Sequence, residues 1–409
     1  MRSNRKCIVA VIDGLGDLPV DSLGGRTPLE AARTPVLDFL GGMGEFGLVD
    51  PLSPGRVPNT HSGTGLLFGL LPEQVGRLNR GPVEALGAGI DLANGDIAMR
   101  ANFATLDRHG SGLEVTDRRA GRISECTDEL ALKLQRLDLG DGIRADLHPT
   151  DQHRAALILS GPGLDARISD TDPGDGNMPS AVITSEPLSP AAALTADKLN
   201  RFVLAAHERL LDHEINRQRV ASGQLAANGI ITRGAGAMCD FDNLPGARDI
   251  RGAVVAGCNT IRGLARLSGL EVISRPEFTA DLDTDLDAKM AAALSALDDF
   301  DLVYMHFKAP DICAHDLNPL AKRDALERFD RAFAPAVDTD AIIAIASDHT
   351  TDSNTGAHTA DPVPVLIRDP FNNARRQGAE VNFSERACAA GDMPRRNGHQ
   401  FLTDLLDRM

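Results

Sequence analysis

Three apolar runs in this chain lead into side chains of the types that bind divalent cations. The runs are residues 8–12, 302–307 and 344–347. The acidic and imidazole side chains that follow them are Asp13, Asp311, His315, Asp348, His349 and His358. Because the carboxyl ends of parallel strands meet at one edge of a sheet, this pattern predicts a metal site at that edge. Mixed Asp and His ligands suit zinc, manganese or magnesium, and two such ions can clamp the oxygens of a phosphoryl transfer.

The spacing of these residues indicates how they divide between two cations. Asp311 and His315 are four positions apart and share one face if the segment is helical. Asp348 and His349 are adjacent, so on a strand their side chains would point apart, which favours one ligand for each of two neighbouring ions. Singly, each residue has an ordinary alternative, because an Asp after a strand often caps a helix or a turn. Their joint occurrence favours a metal site.

Composition narrows the class of partner. The formal charge of −16, the absence of Trp and the single Tyr argue against nucleic acid or an anionic membrane. A small anionic substrate remains compatible, because it meets only the local field of a metal site. No segment approaches the roughly 18 apolar residues of a membrane span, and the apolar run before Asp13 is too short for a signal peptide. We therefore expect a cytoplasmic protein of undetermined oligomeric state.

Alternating strand and helix signals predict an α/β fold with a mainly parallel sheet flanked by helices. Residues 96–231 have the pattern of an inserted α+β domain. Residues 1–95 and 232–409 would then form one discontinuous metal-binding domain.

Local signals predict several elements that border these domains. Thr27 and Glu30 have the spacing of a capping box, with Pro28 at the first helical position. Residues 53–64 are rich in turn formers and predict a loop that runs into a helix over residues 65–71. Residues 194–217 carry apolar side chains at helical spacing and predict one long helix.

Longer segments carry a resemblance to a known family. They are Asp13–Asp17, Gly25–Pro35, Arg80–Ile90, Asn102–Thr105, Asp117–Ile123, Ser169–Pro173, Arg233–Gly236 and Ala360–Pro364. With these segments in this order, the chain resembles the archaeal-type cofactor-independent phosphoglycerate mutases of the alkaline phosphatase superfamily. The resemblance implies an alkaline-phosphatase-like sheet, an inserted lid domain that closes over the substrate, and interconversion of 2- and 3-phosphoglycerate in glycolysis or a specialised pathway.

The resemblance also implies roles for individual residues. One divalent cation, Mn²⁺ or Zn²⁺ with Mg²⁺ possible, would be held by Asp13, Asp348, His349 and the nucleophilic hydroxyl, so that the adjacent pair shares one ion. A second would be held by Asp311, His315 and His358, and Lys308 would lie near the phosphoryl group. The substrate-facing residues of the inserted domain would be Asp117, Arg118, Arg122, His153 and Asp172. Arg suits such a substrate because it binds phosphate and carboxylate through paired hydrogen bonds.

The chain departs from the family at the nucleophile loop. Where the family has Gly-Ser-Asp-Thr-Ala-His, an ungapped register gives Asn59-Thr60-His61-Ser62-Gly63-Thr64. Thr60 is therefore the predicted nucleophile, with Ser62 as the alternative, and His61 is an added titratable group. A metal-bound threonine hydroxyl can act as a nucleophile. The leading prediction is a mutase with a phosphoenzyme on Thr60. The alternatives are a phosphatase or phosphonate-cleaving hydrolase acting on a small acid, and a non-catalytic relative.

Overall fold

A computed structural model of the chain describes residues 5–110, 112–174, 180–181, 184–238, 241–372 and 381–409. The strands in these residues are β1 (Cys7–Ile12), β2 (Glu45–Asp50), β3 (Ile97–His109), β4 (Gly112–Asp117), β5 (Leu137–Asp138), β6 (Arg144–Pro149), β7 (Arg154–Ser160), β8 (Ser180–Ala181), β9 (Gly229–Ala237), β10 (Gly252–Val255), β11 (Glu271–Ile273), β12 (Leu302–Phe307), β13 (Ile342–Ala346), β14 (Thr350–Asp352), β15 (Ala357–Thr359), β16 (Val363–Arg368) and β17 (Arg396–Asn397).

The helices of the same residues are α1 (Pro28–Ala31), α2 (Pro35–Met43), α3 (Thr60–Leu67), α4 (Pro72–Val75), α5 (Arg80–Gly87), α6 (Thr127–Leu132), α7 (Ala193–Leu211), α8 (Glu214–Ala221), α9 (Leu244–Ala247), α10 (Asn259–Leu267), α11 (Leu286–Ala296), α12 (Ala309–His315), α13 (Pro319–Phe333), α14 (Glu385–Ala389) and α15 (Gly398–Leu406). Short 3₁₀ helices cover Asp21–Leu23, Pro190–Ala192 and Ala334–Asp338. Within the described ranges, no helix combines the length and apolar character that a membrane crossing requires.

The chain divides into two compact units, a first unit of residues 1–77 and 241–409 and an inserted unit of residues 78–240. The inserted unit therefore extends beyond the residues 96–231 expected from sequence at both of its ends. At the first border, α5 belongs to the inserted unit because Gly81 packs so closely on β3 that a Cβ there would overlap the carbonyl of Ala98. At the second, β9 pairs with β3 along most of its length and so cannot belong to the first unit.

The first unit is built on a mainly parallel sheet, as predicted. Eight of its described strands form the order β11-β10-β12-β1-β13-β16-β2-β17. The neighbours from β11 to β13 are parallel, and β16 runs antiparallel to both β13 and β2. Every residue of β1, β12 and β13 is buried, which is typical of parallel strands covered by helices on both faces.

Aromatic contacts fix the helices around these central strands. Phe307 at the end of β12 stacks on Phe329 of α13 with ring centroids 5.7 Å apart. On β12, the hydroxyl of Tyr304 donates a 2.7 Å hydrogen bond to the carbonyl of Leu67, and its ring meets that of Phe68 at 4.9 Å. These contacts fix the C-terminal end of α3 against β12. Thr27 caps α1 with both hydrogen bonds of a capping box, as predicted.

The inserted unit has a largely antiparallel sheet in the order β5-β6-β7-β3-β4-β8, with β9 on the free side of β3. Its core includes Phe103 of β3 and Phe202 of α7, both fully buried. The single helix predicted over 194–217 is wrong in one respect, because α7 ends at Leu211 and α8 begins at Glu214. The chain is extended at His213, whose side chain accepts a hydrogen bond from the Ile215 N–H as a new N-cap.

Candidate active site

The parallel register of the first unit brings three strand ends to one level. Ile12 pairs with Phe307 and Val11 with Ala346, so Asp13 follows its strand at the height of Lys308 and Asp348. This alignment confirms the predicted meeting of the three segments at one sheet edge.

The first ligand cluster consists of Asp13, Asp348 and His349, each with no exposed surface. The His349 Nε2 lies 3.2 Å from Asp13 Oδ1 and 3.4 Å from Asp348 Oδ2. The spacing argument that separated Asp348 from His349 is wrong because β13 ends at Ala346. Beyond that point the alternation of side chains along a strand no longer applies.

The second ligand cluster consists of Asp311, His315 and His358. The helix α12 places His315 one turn after Asp311, with Nε2 3.3 Å from Asp311 Oδ1. His358 enters from β15, where its Nε2 lies 3.5 Å from Asp311 Oδ1 and its ring stacks on that of His349 at 3.7 Å. The two clusters are therefore in contact.

Hydrogen bonds at Nδ1 orient all three imidazoles. The Nδ1 atoms of His315 and His358 lie 2.7 and 3.2 Å from the backbone carbonyls of Gly356 and Pro58. The Nδ1 of His349 lies 3.0 Å from the hydroxyl of Thr351. When Nδ1 donates, Nε2 of a neutral imidazole carries the lone pair that binds a metal. In each ring that atom faces its ligand cluster.

Lys308 connects the two clusters. Its Nζ donates to Asp13 Oδ2 at 2.9 Å and to Asp311 Oδ2 at 2.5 Å. Burial favours the neutral amine, but Asp13 and Asp311 outweigh it and raise the pKa of Lys308 above its ordinary value. Lys308 is therefore a fixed positive charge between the two groups of ligands.

The buried charge favours bound cations. Burial opposes ionisation of Asp13, yet Lys308, His306 and His349 hold its pKa well below the ordinary range. Burial and the neighbouring Asp13 raise the pKa of Asp348. Asp13 Oδ1 is buried without a hydrogen-bond partner among the described residues. Carboxylates packed with one lysine and an unsatisfied oxygen are the donor set that divalent ions compensate, so the residues fit the predicted metals.

The N-terminus of α3 presents the altered nucleophile loop. Thr60 is the first residue of the helix, and its Oγ1 lies 3.3 Å from His349 Nε2. The Ser62 hydroxyl instead accepts from the Asn59 N–H at 3.0 Å in a capping box. His61 lies half-buried between them. The geometry therefore favours Thr60 over Ser62 as the hydroxyl that reaches the first ligand cluster. The predicted loop over 53–64 is shorter than expected, since α3 begins at Thr60.

Two further residues of this loop contact Asp348. Thr64, at the position where the family has His, donates to Asp348 Oδ2 at 3.1 Å. A Cβ at Gly63 would overlap the Asp348 carbonyl oxygen, so only glycine allows α3 to approach so closely. The altered loop thus retains a direct connection to the first ligand cluster.

Sequence reasoning missed two residues beside the ligands. His306 is almost fully buried, with Nε2 3.2 Å from Asp13 Oδ2. The Thr351 hydroxyl donates to Asp311 Oδ1 at 2.8 Å. Each lies two positions from a predicted site residue, Lys308 and His349 respectively. The alternation along a strand could have identified His306, since residues two apart share a face.

The predicted substrate residues of the inserted unit differ in their burial and in their hydrogen-bond partners. Arg118 and Asp172 form a buried bidentate pair, with Nε–Oδ1 and Nη2–Oδ2 distances of 2.5 and 2.8 Å. Asp117 accepts from the backbone N–H groups of Arg119 and Gly121 and so shapes the turn that carries Arg122. Arg122 is exposed, with a positive φ of 59°.

A group of basic side chains lies around Arg100 and His153, and we call it the cationic cluster. Its members are Arg80, Arg100, Arg119, Arg154, Arg233 and His153. Arg100 on β3 lies directly opposite Arg233 on β9, an arrangement of like charges that destabilises a sheet. The carboxylate of Glu84 offsets part of this charge, since its Oε1 lies 3.4 Å from Arg100 Nη1. Burial lowers the pKa of Arg100 to about 10, against the opposing effect of Glu84 and with further lowering by Arg80 and Arg233. Burial, followed by Arg154 and Arg119, also lowers the pKa of His153.

Unsatisfied polar atoms mark the cationic cluster as a candidate anion site. The Nε–H groups of Arg100 and Arg233 are buried without hydrogen-bond partners in the described part of the chain, as is His153 Nδ1. Asn102 Oδ1 is unpartnered there too, but an amide oxygen accepts hydrogen bonds and does not itself favour an anion. Arg100, Arg233 and Asn102 were not predicted. The signal available was an Arg within an apolar strand, a residue type that is seldom buried unpaired.

Comparisons with known proteins agree in pointing to one family. Residues 42–216 match the family model described as 2,3-bisphosphoglycerate-independent phosphoglycerate mutase. A protein of that name from Methanopyrus kandleri is 39% identical, over 99% of this chain and 97% of its own length.

Two solved structures extend the agreement to the whole fold. The cofactor-independent phosphoglycerate mutase of Thermoplasma acidophilum is 31% identical, with a TM-score of 0.76 over 98% of this chain and 99% of its own. A Pyrococcus horikoshii protein is 30% identical, with a TM-score of 0.80 over 99% and 98% of the two chains. These matches confirm the predicted fold class.

Proposed function

The chain belongs to the family of 2,3-bisphosphoglycerate-independent phosphoglycerate mutases, which are isomerases, and we propose that it interconverts 2- and 3-phosphoglycerate through a phosphoenzyme on Thr60. The observation that carries this proposal is the position of the Thr60 hydroxyl, 3.3 Å from a buried histidine of the first ligand cluster. The competing Ser62 hydroxyl is engaged in capping α3.

The proposed metal ligands follow the two clusters. Asp13, Asp348, His349 and Thr60 would hold one divalent cation, and Asp311, His315 and His358 the other, with Mn²⁺ or Zn²⁺ favoured and Mg²⁺ possible. When bound, such ions lower the pKa of a coordinated hydroxyl and offset charge on a phosphoryl group. Lys308 adds a fixed positive charge at the same place.

The reaction proposed for these residues conserves atoms and protons. The Thr60 oxygen forms a bond to phosphorus and gives up its proton, while the bond to the glycerate oxygen breaks and that oxygen takes up a proton. The other glycerate hydroxyl then attacks the same phosphorus and gives up its proton, while the bond to the Thr60 oxygen breaks and that oxygen takes up a proton again. Glycerate must remain bound between the two steps, and water must be excluded from the phosphoenzyme.

The inserted unit is proposed to supply substrate-binding groups. Arg122, which is exposed, and the cationic cluster, which includes His153, are suited to binding the phosphate and carboxylate of a phosphoglycerate. The mutual pairing of Arg118 and Asp172 and the turn formed by Asp117 suggest that these three position their neighbours on the substrate side. We add Arg100 and Arg233 to the proposed binding residues because their Nε atoms are buried without partners.

Hydrolysis is the second candidate function. The specific observation in its favour is the altered loop, in which Thr60 and His61 replace the Ser and Asp of the family. A phosphoenzyme attacked by water would release inorganic phosphate from the same site. The two functions therefore differ in the acceptor and not in the first step.

The test is to incubate the Mn²⁺-loaded chain with 3-phosphoglycerate and to follow 2-phosphoglycerate and free phosphate by ³¹P NMR. We expect interconversion without phosphate release. Phosphate release would identify a hydrolase, and the absence of both products would overturn the phosphoglycerate assignment.

Two variants test the nucleophile. Thr60→Ala is expected to lower the rate by more than about 10⁴-fold, as removal of a nucleophile does. Ser62→Ala should retain activity and lose only about 1 kcal/mol of stability through the weakened cap. Mass spectrometry of the quenched enzyme should find phosphothreonine at residue 60. Full activity in Thr60→Ala would refute this nucleophile.

A further inference from the structure

The Thr351 hydroxyl lies between the two ligand clusters, within hydrogen-bond distance of a ligand in each. It lies 2.8 Å from Asp311 Oδ1 in the second cluster and 3.0 Å from His349 Nδ1 in the first. Thr351 itself is fully buried. Like Lys308 Nζ, the Thr351 hydroxyl therefore touches one ligand of each cluster with a single atom, but it is a neutral group and one of its partners is a histidine.

The chemistry of the two partners fixes the direction of both hydrogen bonds. A carboxylate only accepts, so the one hydroxyl proton of Thr351 is donated to Asp311. The hydroxyl oxygen is then left to accept from His349, which places a proton on Nδ1 and directs Nε2 to the first cluster. The Thr351 side chain thus selects the His349 tautomer that binds metal.

His349 differs in this respect from the other two histidines. His315 and His358 lie with Nδ1 against backbone carbonyls, which no substitution removes. His349 relies on a side chain, and that side chain also fixes Asp311. Substituting a single residue can therefore disturb both clusters.

The fold holds Thr351 rigidly. Its N–H donates to the Gly16 carbonyl at 3.1 Å, and its carbonyl accepts from Lys322 Nζ at 3.0 Å. In the β14–β15 hairpin it pairs directly with His358. A Cβ at Gly14, where φ is +63°, would lie 2.7 Å from the Thr351 hydroxyl, so glycine leaves the room that this side chain requires.

We infer that Thr351 is a positioning residue that fixes the His349 tautomer and couples the two divalent-cation sites through Asp311. The inference rests on the metal assignment of the proposed function. It predicts that loss of this hydroxyl weakens both sites together, although Thr351 binds neither ion.

The experiment measures Mn²⁺ binding by calorimetric titration of the chelator-treated full chain, with bound metal counted by elemental analysis. Thr351→Val is expected to weaken both sites by about 10- to 100-fold, the usual effect of removing an outer partner of a metal ligand. Thr351→Ala should behave alike if the valine variant folds poorly. Thr351→Ser restores the hydroxyl and should bind within about threefold of the wild type, well short of that loss.

Two matched variants separate coupling from general damage. Thr64→Val removes a hydroxyl that donates to Asp348 and, among the described residues, to no ligand of the second cluster, so it should weaken the first site and spare the second. Thr350→Val changes the adjacent buried threonine, whose hydroxyl faces the Pro362 carbonyl at 3.4 Å, and should leave both affinities unchanged.

The outcomes distinguish this inference from the proposed function. Wild-type affinities at both sites in folded Thr351→Val or Thr351→Ala would overturn the inference alone, as would weakening of only one site. A wild-type chain that bound neither Mn²⁺ nor Zn²⁺ would overturn the metal assignment and the inference together.

Discussion

The two ligand clusters of the first unit and the cationic cluster of the inserted unit differ in the charge of their residues and in the strand arrangement that brings those residues together. The ligand clusters lie beyond the ends of parallel strands, where Asp13, Asp348 and Lys308 follow directly from buried runs. The cationic cluster lies largely along antiparallel strands, where Arg100 of β3 meets Arg233 of β9 across the sheet.

The difference shows how a fold can create a charged site. At strand ends, the apolar run of each strand comes just before the first charged residues of the site. The parallel pairing of the strands then brings those residues together. Across an antiparallel sheet, neighbours are far apart in sequence, and their proximity depends on pairing. The first arrangement favours cations and the second favours anions, so each should respond to a different ligand and to different substitutions.

The largest expected effect is in the ligand clusters. Asp348→Asn keeps the side-chain volume but removes a buried carboxylate, and we expect activity with Mn²⁺ to fall by more than about 10³-fold, several kcal/mol of lost charge stabilisation. Steady-state kinetics and Mn²⁺ titration check this.

The matched control is Asp352→Asn, a buried carboxylate that caps a turn at Asn354 and Thr355 outside the clusters. It should lose stability with little loss of Mn²⁺ affinity. Equal loss of affinity in both variants would contradict the boundary drawn around the ligand clusters.

The next effect concerns stability in the inserted unit. Asp172→Asn leaves the buried Arg118 without its bidentate carboxylate, and we expect it to cost about 3 kcal/mol of unfolding free energy. Urea denaturation measures the loss. Mn²⁺ affinity should be unchanged, and a parallel fall in Mn²⁺ affinity would show that the regions are not independent. The exposed pair Arg217–Glu214 is the control, since Glu214→Gln removes only a solvent-screened ion pair and should leave stability nearly unchanged.

Ligands should act on the two regions separately. At about 100 times its dissociation constant, a ligand stabilises the folded state by about 2.7 kcal/mol. Mn²⁺ should therefore raise the melting temperature of the wild type and of Arg233→Gln, and it should raise that of Asp348→Asn less, because only the second ligand cluster stays intact in that variant. With chelator present, 3-phosphoglycerate should stabilise the wild type and Asp348→Asn but not Arg233→Gln. Calorimetry measures both shifts in melting temperature. A variant that lost its response to both ligands would contradict the independence of the two regions.

The smallest expected effect is electrostatic. Burial and then Arg154 lower the pKa of His153, so in the folded chain His153 takes up its proton at a lower pH than in the unfolded chain. Its neutral form therefore contributes stability that is present above the unfolded pKa of about 6.5 and is lost as pH falls below that value through the lower pKa of the folded chain. Arg154→Gln should raise the pKa of His153 toward that value. Because Arg154 pairs with Asp151 in an exposed position, stability should change by less than about 1 kcal/mol.

NMR titration of the imidazole protons checks this, with His153→Gln for assignment. A pKa of His153 that stayed the same without Arg154 would exclude Arg154 from the cationic cluster. Arg136→Gln, outside the cluster, is the charge-matched control and should leave the titration of His153 unchanged.

Much of the first unit was predictable from the chain alone. Apolar runs 8–12, 302–307 and 344–347 became β1, β12 and β13 almost residue for residue, because strands buried on both faces need continuous apolar sequence. The residues after them were correctly identified as the groups that meet, since parallel strands bring their carboxyl ends together.

The borders of the inserted unit were less predictable. The expected limits of 96 and 231 excluded α5 and part of β9, because the packing of Gly81 on β3 and the pairing of β9 with β3 leave no local signal. The break between α7 and α8 was missed for a similar reason. Asn216 of α8 donates to the carbonyls of Leu210 and Ala227, contacts that depend on the folded unit.

The sequence by itself therefore determined which residue types stand at the sheet edge, because an apolar run and the side chains that follow it are local properties of the sequence. Residue spacing favoured separate ions for Asp348 and His349, whereas the family resemblance implied a shared ion and made Thr60 the predicted nucleophile. The tertiary structure placed Asp348 and His349 in one cluster, the Thr60 hydroxyl rather than that of Ser62 near His349, and Thr351 between the two clusters. Those relationships join residues far apart in sequence or depend on where a strand ends, and such distances are set by packing and register.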